Sequence, residues 1–484
     1  MLINVILSIM KRYFFTTLFL AAITLSTSAK VKLPQLISDN MVLQQEADVC
    51  LWGEATPSST ITIKAGWTNR SVETKADANG CWKTTVATPS ASFRAYDLSI
   101  NDGEEVLIHN VLIGEVWFCS GQSNMEMPIA GFGNCPIKDS NNIIADGSNH
   151  AAIHMATIEK KSALTPQEYA NGKWKVSSPE NVPGFSATAY NYALALQRTL
   201  QVPIGIINCS WGGSRVEGWL PKEILQTYKD EDLSKAGSKE GIQYMQPMIM
   251  YNGMLYACIH YTIKGFAWYQ GCSNVDTYKT YADRLATMVK HWRSLWGQGD
   301  IPFYYVEIAP FSYGDPAKTK GAMLREQQYK ALALIPNSGM ISTNDLVQPY
   351  EVNQIHPCDK KDVGERLAYQ ALNKTYGFTS IKADGPMFKE MKVEGNKACI
   401  TFTNADEGFS PWDGITGFEV AGADKVFKAA KAVVNTGKNR IEVTSDEVSQ
   451  PVAVRYCFRN FQIGNLKNNR NLPTVPFRTD NWDE

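Results

Sequence analysis

The stretch Gly114-Glu-Val-Trp-Phe-Cys-Ser-Gly-Gln-Ser-Asn-Met-Glu-Met127 decides how the rest of this chain is read. The apolar run Val111, Leu112, Ile113, Val116, Trp117 and Phe118 has the length of a buried strand. It breaks into small and polar residues, as such strands do where a sheet ends in a loop. Open α/β sheets bind ligands beyond the carboxyl ends of their strands. Ser123, just past such an end on a turn loosened by Gly121, therefore stands where a nucleophile can meet a substrate. A lone serine in this pattern is equally a helix cap, so the rest of the chain has to decide.

Outward from that stretch, Val111 to Tyr376 alternates apolar strands with helical segments. The strand candidates are 111–118, 204–209, 263–268, 303–308 and 339–343, and the helix candidates include 190–200, 247–261, 278–296 and 359–373. That texture predicts an α/β domain, a parallel sheet covered by helices. Before it, short alternating strands punctuated by Gly53, Pro57, Asn79-Gly80 and Asn101-Asp102-Gly103 read as a small antiparallel β-sandwich. After Gly385-Pro386 the alternating texture returns as a second β region, which either packs on the central domain or completes the first sandwich. Lys11 and Arg12, the apolar Tyr13 to Leu25 and the small residues Thr27-Ser28-Ala29 have the layout of an export signal, too short for a comfortable membrane span. The expected division is thus 1–29 signal peptide, 30–110 β-sandwich, 111–376 central domain and 377–484 C-terminal β region, with the mature chain periplasmic or extracellular and without a membrane span.

The 484 residues exceed what one core normally fills. The 47 basic residues are balanced by 48 acidic ones, which gives no reason to expect nucleic acid or an anionic membrane as a partner. Ten scattered cysteines form no C-x-x-C pair and no ligand spacing with histidine, which argues against a metal site. Several fall inside apolar runs, where a buried free thiol is expected even in an oxidising compartment.

Three further patches fall where other strands of the sheet would end. Trp211-Gly-Gly-Ser-Arg215 follows the 204–209 strand, and its paired glycines let backbone N–H groups approach a ligand closely, as an oxyanion hole requires, although the same residues make an ordinary turn. Tyr269-Gln270-Gly-Cys272-Ser-Asn274 offers two side-chain amides as further donors. Asn353-Gln-Ile-His-Pro357 contains the one histidine of six with a loop setting after a strand's exit. An early serine, a late histidine and amide donors between them make the layout of acyl transfer.

The blocks S-G-Q-S-N-M, S-W-G-G, W-Y-Q-G-x-x-N and I-H-P resemble those of the sialate O-acetylesterase group of the SGNH (GDSL-like) hydrolases, as do the flanking Leu33-to-Gln45 and Leu472-to-Asp480 motifs. The resemblance implies a flavodoxin-like SGNH hydrolase domain with β accessory regions and removal of O-acetyl groups from sugars. It implies Ser123 as nucleophile, His356 as base, and Ser123 N–H, Gly213 N–H and an amide of Gln270 or Asn274 as oxyanion donors. Two positions depart from the pattern: Cys272 stands where the group usually has glutamate, and Gln354 where it has aspartate. Loss of the acid that orients the histidine costs on the order of ten-thousand-fold in Ser-His-Asp proteases. Another carboxylate can substitute, Asp345 or Glu351. Alternatively Gln354 or a backbone carbonyl orients the ring in a slower dyad, or catalysis is lost and sugar binding kept. If position 272 lies beside the histidine loop, Cys272 and Cys358 could also be bonded, although two free thiols are the default.

The sequence thus leads to a serine-dependent carbohydrate O-acetylesterase working through an acetyl-enzyme, without metal or organic cofactor. Its expected substrate is an acetylated sugar such as O-acetylated sialic acid, with acetylated plant polysaccharide as the first alternative and non-catalytic glycan binding as the second. Asn124, Arg215, Glu217 and Trp219 are candidate substrate-side residues, each of which could equally be structural.

Overall fold

The computed structural model describes residues 31–238 and 241–482, and the expected export segment lies outside them. The central sheet is built from β1 (Glu105–Gly121), β2 (Ile153–Thr157), β3 (Trp174–Val176), β4 (Ile204–Ser210), β5 (Gly265–Tyr269), β6 (Phe303–Val306) and β7 (Ser338–Ile341) in the order β7-β6-β5-β1-β4-β2-β3. All neighbours pair in parallel except β3, an antiparallel edge strand. The five strands expected from sequence (β1, β4, β5, β6, β7) thus lie in the flavodoxin-like order 2-1-3-4-5, whose switch point falls between β1 and β5. The pair β2 and β3 was not expected, because five and three residues are too short to carry a period of their own.

Strand β1 shows why the sheet sits where it does. Its first residues alternate between exposed and buried, and from Val111 to Gly121 every residue is buried, as in a parallel strand covered on both faces. Side chains alternate across it: Val116 and Phe118 enter one core with Phe266, Trp292 and Trp296, while Trp117 and Cys119 enter the other with Tyr192, Tyr304 and Leu367. The first core is covered by α3 (Tyr281–Trp296) and α4 (Lys320–Ala331), and the second by α2 (Ala187–Leu200) and α5 (Lys361–Lys374), with the short α1 (Ser123–Glu126) directly after β1. Helix α2 begins three residues earlier than its apolar period suggests, because the Ser186 side chain accepts the Ala189 N–H and caps it. The helix expected over 247–261 is a π-turn, Tyr251–Leu255, followed by a 3-10 turn, Tyr256–Cys258. Gly253 there approaches the Lys161 carbonyl so closely that a Cβ would lie 1.9 Å from its oxygen.

At the amino end, Thr60–Ala65, Ser71–Lys75, Ser92–Asn101 and the first part of β1 form an antiparallel sheet, beside the hairpin-like pair Asp48–Glu54 and Cys81–Ala87. Gln44 and Gln45 reach from this region to the buried Glu115 of β1, which also accepts from the Tyr376 hydroxyl. The C-terminal region has two four-stranded antiparallel sheets and a two-stranded one, Phe409–Ser410 with Lys467–Asn468, around its own core of Ile400, Phe418, Ile441, Tyr456 and Phe477. It docks on the central domain: Arg478 forks onto Glu326 of α4, and Lys467 reaches Asp345 beyond β7.

Candidate active site

The chain leaves β1 in a turn locked from both sides. Gly121 has φ +138°, and a Cβ there would lie 2.2 Å from the Tyr269 carbonyl oxygen, so only glycine fits. Gln122 N–H donates to that carbonyl (2.9 Å), and its side-chain oxygen accepts from Gly271 N–H (2.8 Å). Trp211 N–H donates to Gly121 O (3.0 Å), tying the end of β4 to the same turn. Ser123, half-buried, stands at its tip above the switch point.

His356 arrives on the loop between β7 and α5. Glu351 shapes that loop from inside: its carboxylate accepts from Gln348 N–H and Cys358 N–H, both at 2.8 Å. Asn124 donates to Ile355 O (3.0 Å) and Lys360 to Pro357 O (2.6 Å), so the carbonyls on both sides of the histidine are held. The result is a hydrogen bond of 2.8 Å between His356 Nε2 and Ser123 Oγ, with both side chains partly open to solvent. A hydroxyl bonded to an imidazole nitrogen is the geometry of nucleophile activation.

Beside the serine, Gly212 N–H donates to Glu126 (2.6 Å), and the other carboxylate oxygen of Glu126 accepts from Lys160 (2.6 Å). Gly213 follows with φ +76°, covered by the Tyr244 ring, which a Cβ at Gly213 would overlap. Ser123 N–H and Gly213 N–H engage no acceptor among the described residues, leaving both available to a developing oxyanion.

The side-chain donors expected there are already spent. Gln270 gives its amide hydrogens to Ser214 O (2.9 Å) and Asn274 Oδ1 (2.8 Å), and Asn274 donates to the Glu217 carboxylate. Both are fully buried, so they brace the glycine turn from beneath instead of facing the pocket. Glu217 and Trp219 are likewise corrected from substrate-side residues to core: Glu217 pairs with Arg284, and the Trp219 indole donates to Ser214 Oγ. Arg215 is held by Glu231 and the Met245 carbonyl, and the buried Asn124 donates to the histidine loop, its Oδ1 having no hydrogen-bond partner among the described residues. A loop signature gives no sign of which side chains turn inward, and a network of this kind, with partners up to 67 residues apart, is invisible to a linear pattern.

None of the four candidate orienting groups touches the outer nitrogen of His356. Asp345 is forked onto Arg366 (2.7 and 2.8 Å), Glu351 is committed to backbone donors, and Gln354 binds the His356 backbone N–H and Asn134 O. Cys272 is buried within electrostatic reach of Lys360 and Arg325, and it is not bonded to Cys358: all cysteines among the described residues are free thiols. The group that faces Nδ1 is Cys135 Sγ, at 3.9 Å, a residue the sequence did not single out. Burial, and secondarily the charge of Lys360, lower the His356 pKa from 6.5 to about 4. Lys360 is itself lowered to about 8 by complete burial. The other five histidines are engaged structurally, as with His154 between the Asn40 and Ala151 carbonyls.

With this geometry in hand, similarity to known proteins becomes informative. The sequence model of the family described as "Carbohydrate esterase, sialic acid-specific acetylesterase" matches residues 113–373, more than half of the chain. The chain belongs to this family. Human sialate O-acetylesterase is 26% identical over 401 residues, covering 76% of this chain and 75% of the human protein. The mouse sialate O-acetylesterase is 24% identical over 527 residues, covering 95% and 96%. Among solved structures, a carbohydrate acetylesterase from Xanthomonas citri superimposes with a TM-score of 0.82 at 34% identity, covering 93% of this chain and all of that one. The protein is therefore an esterase, and the matched span runs from β1 through α5, carrying Ser123 and His356.

Proposed function

We propose that this protein is a serine-dependent carbohydrate O-acetylesterase acting outside the cytoplasm. The observation that carries the reading is the 2.8 Å contact between Ser123 Oγ and His356 Nε2 at the sheet's switch point, in a family of acetylesterases. Ser123 attacks the acetyl carbonyl while His356 takes its proton, and the Ser123 and Gly213 N–H groups receive the oxyanion. His356 then returns the proton to the departing sugar hydroxyl. A water activated by the same imidazole releases acetate from the acetyl-enzyme and regenerates the serine. Each step passes through imidazolium, and among the described residues the group behind the ring is the Cys135 sulfur, not a carboxylate. Turnover is accordingly expected below that of a complete triad.

O-acetylated sialic acid and acetylated plant polysaccharide are both substrates of the right chemistry, and release of acetate from each, side by side, ranks them. A glycan-binding role without turnover is the second reading, favoured by the missing carboxylate. Acetate release from a chromogenic acetyl ester by wild type and Ser123→Ala separates the two. A serine-dependent rate supports the esterase, and equal background rates support binding alone.

A further inference from the structure

The outer nitrogen of the imidazole carries a further step, one that rests on the serine-esterase reading. For Nε2 to accept the Ser123 proton, Nδ1 must hold the ring's hydrogen in the resting state, so whatever faces Nδ1 selects the working tautomer. The carboxylates nearby are engaged elsewhere, Asp345 with Arg366 and Lys467, and Glu351 with two backbone N–H groups. Cys135 Sγ is within the reach of a long sulfur hydrogen bond, at 3.9 Å from Nδ1.

The sulfur is presented by a turn built to hold it still. Phe132 and Cys135 exchange reciprocal backbone hydrogen bonds (3.1 and 3.0 Å), and Gly131, at φ +80°, admits the Cys135 carbonyl where a Cβ would lie 2.5 Å from its oxygen. The edge-to-face contact of the Phe132 ring with His356, at 5.3 Å and 72°, fixes the imidazole plane. Lys138 fastens the same segment to the chain beyond the histidine, through its N–H to Cys358 O (3.0 Å) and its ammonium to Asp359 (2.7 Å). Cys135 is 8% exposed, so water does not compete freely for the contact.

We propose that Cys135 is the positioning residue of the catalytic histidine, its sulfur accepting the Nδ1 hydrogen in the place a triad acid would occupy. A thiol differs from a carboxylate in two ways that matter here. Its sulfur accepts weakly and adds no fixed negative charge, and its own S–H can donate, which would favour the unproductive tautomer. Cys135 thus orients the ring without stabilising imidazolium. The low basicity of His356 agrees with that division of labour.

The test compares wild type, Cys135→Ala and Cys135→Asp on an acetyl ester, with ring-nitrogen chemical shifts of His356, assigned by its absence from His356→Gln, as a readout independent of turnover. In Cys135→Ala, kcat is expected to fall about two- to tenfold with KM unchanged, the worth of one weak hydrogen bond. In Cys135→Asp, an acceptor-only group should raise kcat above wild type and move the acid limb of the pH profile upward. Wild-type spectra should show hydrogen on Nδ1, and Cys135→Ala should show the tautomers mixed. A wild-type kcat and pH profile in Cys135→Ala would overturn the proposal, as would equal losses in both variants, which mark packing alone. If neither variant folds, an unprotonated Nδ1 in wild type overturns it and a protonated one sustains it. The serine reading stands or falls separately on Ser123→Ala.

Discussion

The two sides of the pocket are held by opposite means. Beneath the serine and its glycine turn lies a buried charged network, in which Arg284 pairs with Glu217 and Glu231 while Asn274 and Gln270 transmit the order upward to Ser214 O. At the imidazole ring the contacts are neutral ones, a hydroxyl, a sulfur and a ring edge, on a loop braced by the Glu351 carboxylate and the Lys138–Asp359 pair, above a buried Lys360 whose ammonium donates to a carbonyl. On the serine-esterase reading, the oxyanion side is preorganised by its ion network, in which Arg284 and Arg215 face Glu217, Glu231 and Asp230. The histidine side has the buried Lys360 beneath it. On the same reading, the difference teaches that geometry and charge are separable here: Nε2 meets Ser123 Oγ at 2.8 Å, while the group at Nδ1 is a sulfur that adds no fixed charge for a protonated ring.

The comparison can be broken most severely at the base itself. His356→Gln should lose on the order of a thousandfold in kcat with little change in thermal stability, because the ring is partly solvent-exposed and its loop is held by other residues. A loss near tenfold would mean that the neutral side contributes orientation only. On the ionic side, Arg284→Met leaves the buried Glu217 and Glu231 with Arg215 as their remaining cation, and unfolding should become easier by about 3 kcal/mol, read by chemical denaturation. A loss under about 1 kcal/mol would show that the network is not what preorganises the turn.

Cys272→Glu returns a carboxylate to the neighbourhood of Lys360 and Arg325, and should raise kcat about tenfold while shifting the acid limb upward. No gain would show that the deficit lies only at Nδ1. The smallest effect is the pH profile of wild type. His356 must be neutral to act, and its folded pKa is about 4 against an ordinary 6.5, so kcat/KM should hold through pH 6 and decline only near pH 4. The same shift makes the unfolded chain the better proton acceptor between those values, so this group's contribution to folding stability falls as pH drops through that window.

Much of the frame was legible because β4, β5 and β6 are short, fully buried runs and β1 becomes one from Val111 onward, and the order 2-1-3-4-5 places Ser123 at the switch point. That Ser123 and His356 would meet was legible because Ser123 stands in a polar break just beyond such a run and His356 in the loop that follows β7. Cys135 was not, since it lies in a loop without periodicity and gains its role only from a histidine 221 residues away. Glu217 and Trp219 misled for a related reason: they sit in a polar loop, which suggests exposure, yet the 3-10 turn Val216–Trp219 directs them inward to Arg284 and Ser214. The carboxylates Asp345 and Glu351 looked available because linear distance says nothing about prior engagement, in one case by arginine and in the other by the loop's own backbone.

The most direct measurement is mass spectrometry of protein quenched during turnover of an acetyl ester, with peptides mapped. One acetyl group on the peptide carrying Ser123, absent from Ser123→Ala, is the result expected of a serine activated by His356. Turnover that proceeds with Ser123 unmodified, or with the acetyl group on another side chain, would contradict it.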